Sequence, residues 1–243
     1  MSIDIYKTNK IEQLLVGNSY VGRGIIIGKT PDAKKAVVAY FIMGRSENSR
    51  NRVFEEKPNG EVIIYPFDES KVQDPSLIIY SPIRKINDKL IVTNGNQTDT
   101  VYDGEQVGKS FSESLESRCF EPDAPNFTPR ISGMLTFGEK DFSYQMSILK
   151  SADAQGSACN RFTFSYSALN GLGHFLHTYV CDGNPIPTFV GEPERVETVD
   201  DIDQFTTTIW QSLDQNNKIS LYVRYINLAD GSEENRLINK NQK

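Results

Sequence analysis

The chain has 243 residues, 38% of them hydrophobic and 24% charged, with a formal net charge of -6. That is enough chain to bury well over half of its unfolded surface without staples, and the acidic balance argues against a general nucleic-acid-binding role, which needs a basic footprint. A local arginine cluster can still serve a small anionic ligand inside an acidic protein.

The N-terminal MSIDIYKTNKIEQ lacks an apolar h-region, so no signal peptide is read there. No apolar stretch approaches the ~20 residues that span a bilayer, so a cytoplasmic protein without membrane partners is expected. Residues 8–16 fit one or two helical turns. YVGRGIIIGK at 20–29 is β-branched and bounded by glycine, hence a strand, and TPDAKK at 30–35 is a turn. AVVAYFIM at 36–43 is a second strand, so apolar throughout that burial on both faces is implied. The two predict an antiparallel hairpin in a sheet covered on both sides.

GRSENSRNRVFEE at 44–56 then breaks the pattern and shows no helical face. Short strands follow at 62–67 (VIIYPF), 77–83 (LIIYSPI) and 89–94 (KLIVTN), and VYDG at 101–104 ends in a turn signal. A helix is predicted over 105–118, where Val107, Phe111, Leu115 and Cys119 recur every four residues; Ser110 and Glu113 form a capping box if it starts late. EPDAPNFTPR at 121–130 is irregular. Strands follow at 131–137 and 142–151 as a pair, then at 161–169 and 173–181, with a turn at 182–187. A second helix over 201–216 carries Ile202, Phe205, Ile209, Trp210 and Leu213 on one stripe, capped by Asp200 or Asp201. ISLYVRYINL at 219–228 is the last predicted strand, with either Leu221, Val223 and Tyr225 or the opposite set inside, and residues 230–243 should fray.

No composition break or Gly/Ser linker divides the chain, so a single domain over 1–243 is expected. Long strands, sparse helices and a doubly covered sheet predict an α+β domain of two stacked sheets with outer helices; another β-rich α+β topology is the alternative.

No P-loop, dinucleotide fingerprint, zinc-protease motif or nucleophile elbow is present. Cys119, Cys159 and Cys181 form no CxxC pair, so no metal is expected, and their odd number fits a reducing compartment. Arg45, Arg50 and Arg52, with Asn48 among them, follow a buried-type strand. Guanidinium groups there suit phosphate, although Glu47, Glu55 and Glu56 allow a solvated charged loop instead. TNGNQTD at 93–99 reads either as a loop offering backbone groups to a base or carboxamide, or as an Asn-Gly hairpin turn. Arg130 in PNFTPRI follows two prolines that stiffen its approach; a structural ion pair is the other reading. His174 and His177 fall on opposite faces of a strand and make a poor metal pair.

YVGRGIIIGK, GRSENSRNR, VTNGNQTD, PNFTPRI and GHFLHTY together resemble, in order over residues 20–195, the archaeal-type IMP cyclohydrolase family. The first nineteen residues stand outside it as an extension. The resemblance implies a four-layer αββα sandwich like that of N-terminal nucleophile hydrolases, without self-processing chemistry. It implies ring closure of 5-formamidoimidazole-4-carboxamide ribotide to IMP, with a purine ribotide as partner, no cofactor and a homo-oligomer. It carries Arg45 and Arg50 over as nucleotide-site residues, with Arg52 and Asn48 beside them, and Asn94, Gly95, Thr98, Asp99 and Arg130 from the two later segments. Tyr80 is similar to the family's active-site tyrosine. Gly44 and Glu47 depart from the family pattern, which expects Ser and an aromatic there. A related enzyme acting on another amide or purine ribotide, and a nucleotide-binding protein without catalysis, are the alternatives.

Overall fold

Two antiparallel sheets lie face to face in the computed structural model, which describes residues 4–72 and 79–242. The six-stranded sheet is built from β1 (Arg23–Lys29), β2 (Lys35–Met43), β10 (Leu172–His177), β11 (Glu194–Glu197), β12 (Lys218–Asn227) and β13 (Glu233–Asn239), in the order β11-β10-β1-β2-β12-β13. The seven-stranded sheet runs in sequence order through β3 (Val53–Glu56), β4 (Val62–Tyr65), β5 (Tyr80–Ile86), β6 (Lys89–Thr93), β7 (Arg130–Phe137), β8 (Phe142–Ser151) and β9 (Cys159–Ser167).

The unbroken apolarity of β2 has the predicted consequence. Val38, Tyr40 and Ile42 face the second sheet, against Leu90, Val92 and Met146. Val37, Ala39 and Phe41 face outward beneath α1 (Ile11–Leu15) and α5 (Ile202–Ser212), which contribute Ile11, Leu15, Phe205 and Ile209. On the far side of the second sheet, α3 (Gln97–Gln106) and α4 (Phe111–Leu115) bury Val101, Phe111 and Leu115 on Ile91 and Met134. The layers are therefore helix, sheet, sheet, helix, with the helices covering the central strands of each outer face while the edge strand β9 stays largely exposed. No described helix is long and apolar enough to cross a membrane.

The hairpin of β1 and β2 and the capping of α5 by Asp201 agree with the sequence reading. Other expectations are corrected. The helix expected over 105–118 is two helices. Gly108, at φ +79°, ends the first just past Val107, which is 73% exposed, and Ser110 restarts the chain through a capping box with Glu113. The turn read at 101–104 lies inside α3. Residues 77–78 of the strand expected over 77–83 lie outside the described residues, and Tyr80 opens β5. The two candidate faces of β12 are both buried. The tail expected to fray forms β13, because β12 would otherwise present an open edge; Asn239 then bonds both backbone groups of Phe54 and ties the two sheets together. The initial nineteen residues contribute α1 and a bridge from Asn9 to Val196.

Gly104 lets α3 touch α4: a Cβ there would lie 2.0 Å from Ser114 Oγ. Gly104→Ala is expected to destabilise by about 1–3 kcal/mol despite the better helix propensity of alanine, visible as a lower urea midpoint at unchanged slope.

Candidate active site

Antiparallel pairing brings one set of strand ends to the same end of the sandwich. In the first sheet these are the start of β1 and the ends of β2 and β10; in the second they are the starts of β3, β5 and β7 and the end of β6. A cavity of about 560 Å³ opens there, lined by Tyr20, Arg23, Arg45, Asn48, Arg52, Glu121, Asp123, Thr128 and Tyr179 among others. Gly22 makes the junction possible. It holds φ +79°, and a Cβ on it would stand 2.1 Å from Thr178 Oγ1. With no side chain in the way, Arg23 N donates to Thr178 Oγ1 at 3.1 Å, and the Arg23 side chain lines the cavity.

Arg23 and Arg52 dominate the electrostatics. Among the described residues, neither guanidinium has a hydrogen-bond acceptor or a carboxylate at ion-pair distance, and Nε of Arg52 is shielded from solvent with no partner. Burial, and then the neighbouring Arg23 charge, pull Arg52 below the usual arginine range. Beside them Tyr40 and Tyr80 place their hydroxyls 3.3 Å apart in the core, and burial holds the Tyr40 phenol protonated. Two adjacent cations without counter-ions are costly unless an anion completes the site. Arg45 is better satisfied: it pairs with Asp182, donates to Gly183 O at 2.8 Å and lies over the Tyr20 ring, 5.2 Å from its centroid. Tyr20 and Tyr179 stack, with centroids 5.7 Å apart.

The opposite wall is acidic. Asp123 accepts from Thr128 Oγ1 and from its backbone N–H, and Thr128 Oγ1 lies 2.6 Å from the Tyr179 hydroxyl, so a carboxylate, a hydroxyl and a phenol form one chain along the cavity. Burial pushes the Tyr179 phenol up to about 12, against the opposing pull of the Arg23 charge and the Thr128 hydrogen bond, so it is protonated at neutral pH.

The other sequence candidates fall around this cavity in distinct ways. Asn48 sits on α2 (Glu47–Arg50) and lines it. Arg50 does not: Nε donates to Gly44 O at 3.0 Å and Nη2 to Asn217 Oδ1 at 2.8 Å, buckling the loop from outside. Arg50→Ala is therefore expected to cost about 1–2 kcal/mol of stability, measured by urea unfolding, while the substrate constant changes less than about fivefold. Asn94 closes the end of β6 onto β7. It donates to Pro129 O at 2.9 Å and accepts from Ile131 N and Gln97 Nε2, and it does not line the cavity. The Asn-Gly pair is thus a strand-to-helix junction and not a hairpin turn. Thr98 is spent on Thr93 and Gly95 O. Gly95 leaves room for Arg130, whose Nη1 would be 2.6 Å from a Cβ. Arg130 donates to Gln97 Oε1 at 2.8 Å and lies 3.5 Å from Glu121, so it reaches the cavity only through that carboxylate. Asp99 pairs with Arg84 on the far side of the second sheet.

Sequence reasoning missed Arg23, Tyr20, Tyr179, Glu121, Asp123 and Thr128. Arg23 had a signal, as a charge placed within a glycine-bounded apolar strand, and Tyr179 ends the GHFLHTY segment. His174 and His177 stand on opposite faces of β10, and among the described residues no group of three or more His, Cys, Asp or Glu is placed to hold a metal.

Fold and cavity define an αββα protein with an arginine-bearing, aromatic-walled pocket. The model of the IMP cyclohydrolase-like protein family matches residues 20–232, and the chain belongs to that family. It is similar to the IMP cyclohydrolase of Methanococcus maripaludis (strain C7 / ATCC BAA-1331), at 34% identity over 129 residues, 51% of this chain and 61% of that protein. It is also similar to that of Methanopyrus kandleri, at 35% over 124 residues, 49% and 60%, and to that of Methanococcus aeolicus, at 29% over 167 residues, 67% and 75%. The matches to the first two span about three fifths of those relatives' own length.

Proposed function

We propose that this protein closes 5-formamidoimidazole-4-carboxamide ribotide to IMP with loss of water. The observation that carries the reading is the pair of partnerless arginines, Arg23 and Arg52, in a cavity of nucleotide size whose other wall holds a proton-transfer chain. A phosphate dianion supplies the counter-charge the pair lacks, and the stacked Tyr20 and Tyr179 offer a flat wall for an imidazole ring.

The carboxamide nitrogen attacks the formyl carbon, forming the new C–N bond and placing negative charge on the formyl oxygen. That oxygen takes up a proton and the nitrogen loses one; the carbinolamine then expels its protonated hydroxyl as water while a ring nitrogen gives up its remaining proton, forming the ring C=N bond. Both reacting groups already sit on one ring, so holding them in line supplies much of the rate. Arg45, close to Tyr20 at the cavity wall, stabilises the developing oxyanion. Because Thr128 donates to Asp123, the Tyr179 hydroxyl donates to Thr128. The relay first carries the proton lost by the substrate nitrogen from Tyr179 through Thr128 to Asp123, then returns it by the same path as Tyr179 protonates the departing hydroxyl. Tyr80 lies outside the cavity lining with its hydroxyl on that of the buried Tyr40, so it takes no part in the proposed chemistry.

The test is spectrophotometric: IMP formation from the formamido ribotide by the purified chain, without added metal. Turnover supports the reading. IMP binding without turnover would mark a nucleotide-binding protein, and neither binding nor turnover would point to a different ribotide or amide.

A further inference from the structure

At the other end of β10 the two sheets part at their edges, between β9 and the β10–β11 pair, and leave a second pocket of about 280 Å³. His174 and Arg195 are direct cross-strand partners there. The His174 ring stacks on Tyr166, with centroids 3.6 Å apart and planes at 16°, and its Nδ1 lies 2.6 Å from the Tyr144 hydroxyl. Leu172 lies in the wall, and Leu169, 55% exposed, forms the rim. The pocket contains its own unmet polar demand. The Tyr166 hydroxyl and Arg195 Nε are both shielded from solvent without a hydrogen-bond partner, and among the described residues Arg195 has no carboxylate at ion-pair distance. No described group bonds Nε2 of His174.

We infer that this pocket is a second ligand site, built for a small monocarboxylate with an apolar body and separate from the arginine cavity. Arg195 supplies the planar fork that a carboxylate matches, Tyr166 and His174 supply neutral donors, and Leu169 and Leu172 cover the hydrocarbon part. The charge count selects a single negative charge. Among the described residues Arg195 is the one cation in the lining and Glu192 the one anion, so Arg195 can match one carboxylate while a second negative charge finds no cation and adds to the repulsion from Glu192. Burial first, and then Arg195, push the His174 imidazole down to about 4, so it adds no second positive charge at neutral pH. The Tyr144 phenol is assigned as donor to Nδ1 across the 2.6 Å contact, which places the ring proton on Nε2 as a donor into the pocket.

His174 also provides the readout, since the chain has only two histidines and His177 lies on the opposite face of the sheet against Phe175 and Phe189. Ring resonances of both are followed by NMR in the full chain at pH ~7.5 while 4-methylvalerate, succinate or inorganic phosphate is added. The expected result is a saturable shift of His174, and not of His177, with 4-methylvalerate at about 1–10 mM. Succinate and phosphate are expected to bind at least about tenfold more weakly, a gap that Glu192→Gln narrows. Arg195→Gln is expected to weaken 4-methylvalerate by at least about tenfold while turnover in the arginine cavity is unchanged. No saturable His174 shift by about 50 mM, an equal shift in Arg195→Gln, or succinate binding as well as the monocarboxylate would each overturn the assignment.

Discussion

Arg52→Met is expected to raise the apparent substrate constant by about 10–150-fold, the range set by loss of a charge-assisted contact of about 1.5–3 kcal/mol, and to leave the free protein as stable as before or more so. The two halves of this expectation have one cause. In the free protein Arg52 sits beside Arg23 with its Nε buried and unpartnered, so the fold carries the desolvation of a cation and the repulsion of a like charge without return. Methionine keeps much of the stem and removes both penalties. On the proposed reading the same pair supplies the main affinity for a bound anion, so the arrangement would trade stability for function. Kinetics of IMP formation give the first half, and thermal unfolding without ligand gives the second. IMP should raise the melting temperature of the wild type much more than that of the variant. A variant with an unchanged substrate constant and a lower melting temperature would make Arg52 a structural residue and remove it from the site.

The second large effect is expected in turnover. Tyr179→Phe and Asp123→Asn should each lower kcat by about 10²–10⁴-fold, the usual contribution of a positioned acid or base, with much smaller changes in the substrate constant. The physical basis is the unbroken chain from the Tyr179 hydroxyl through Thr128 Oγ1 to the Asp123 carboxylate. Because the three groups act as one relay, the double variant should be hardly worse than the weaker single one. The histidines provide the contrast. His174 is engaged with Tyr144 and Tyr166 at the far pocket. His177 donates through Nδ1 to the Tyr179 carbonyl at 2.7 Å, a bond that glutamine can replace. His174→Gln and His177→Gln should each therefore cost less than about tenfold in kcat. Independent, additive losses from Tyr179 and Asp123, or a larger loss from either histidine, would remove the relay from the mechanism.

These expectations differ from those the sequence supports alone, and the reason lies in particular residues. The arginine loop was legible as an anion-binding candidate, yet residues two apart separate completely: Arg52 enters the cavity and Arg50 turns to Gly44 and Asn217. The single turn of α2 decides that separation, and it is stabilised by Ser46 and Ser49 bonding each other's backbone, a local arrangement with no hydrophobic period to betray it. The Asn94 segment was legible as special, but its side chains close on Pro129 and Ile131, thirty-five residues or more away in the chain, and so act as joinery behind the site. Asp123 and Thr128 lie in a stretch whose irregularity was plain and whose contents carried no motif; they matter because β7 and β10 deliver their flanking loops to the same cavity.

The sequence by itself determined the doubly covered β2, the β1–β2 hairpin, the capped α5 and the five ordered segments that resemble the IMP cyclohydrolase family. Each is local or nearly so, written in side-chain period, turn chemistry or residue order. Only the tertiary structure decided that the tail pairs as β13, that Arg23 and Arg52 meet at one cavity without carboxylate partners among the described residues, and that Glu121, Asp123, Thr128 and Tyr179 line the same cavity. Those outcomes depend on which strand edges remain open and on which ends the antiparallel register brings together. Pairing between distant segments sets both, and no local pattern encodes it.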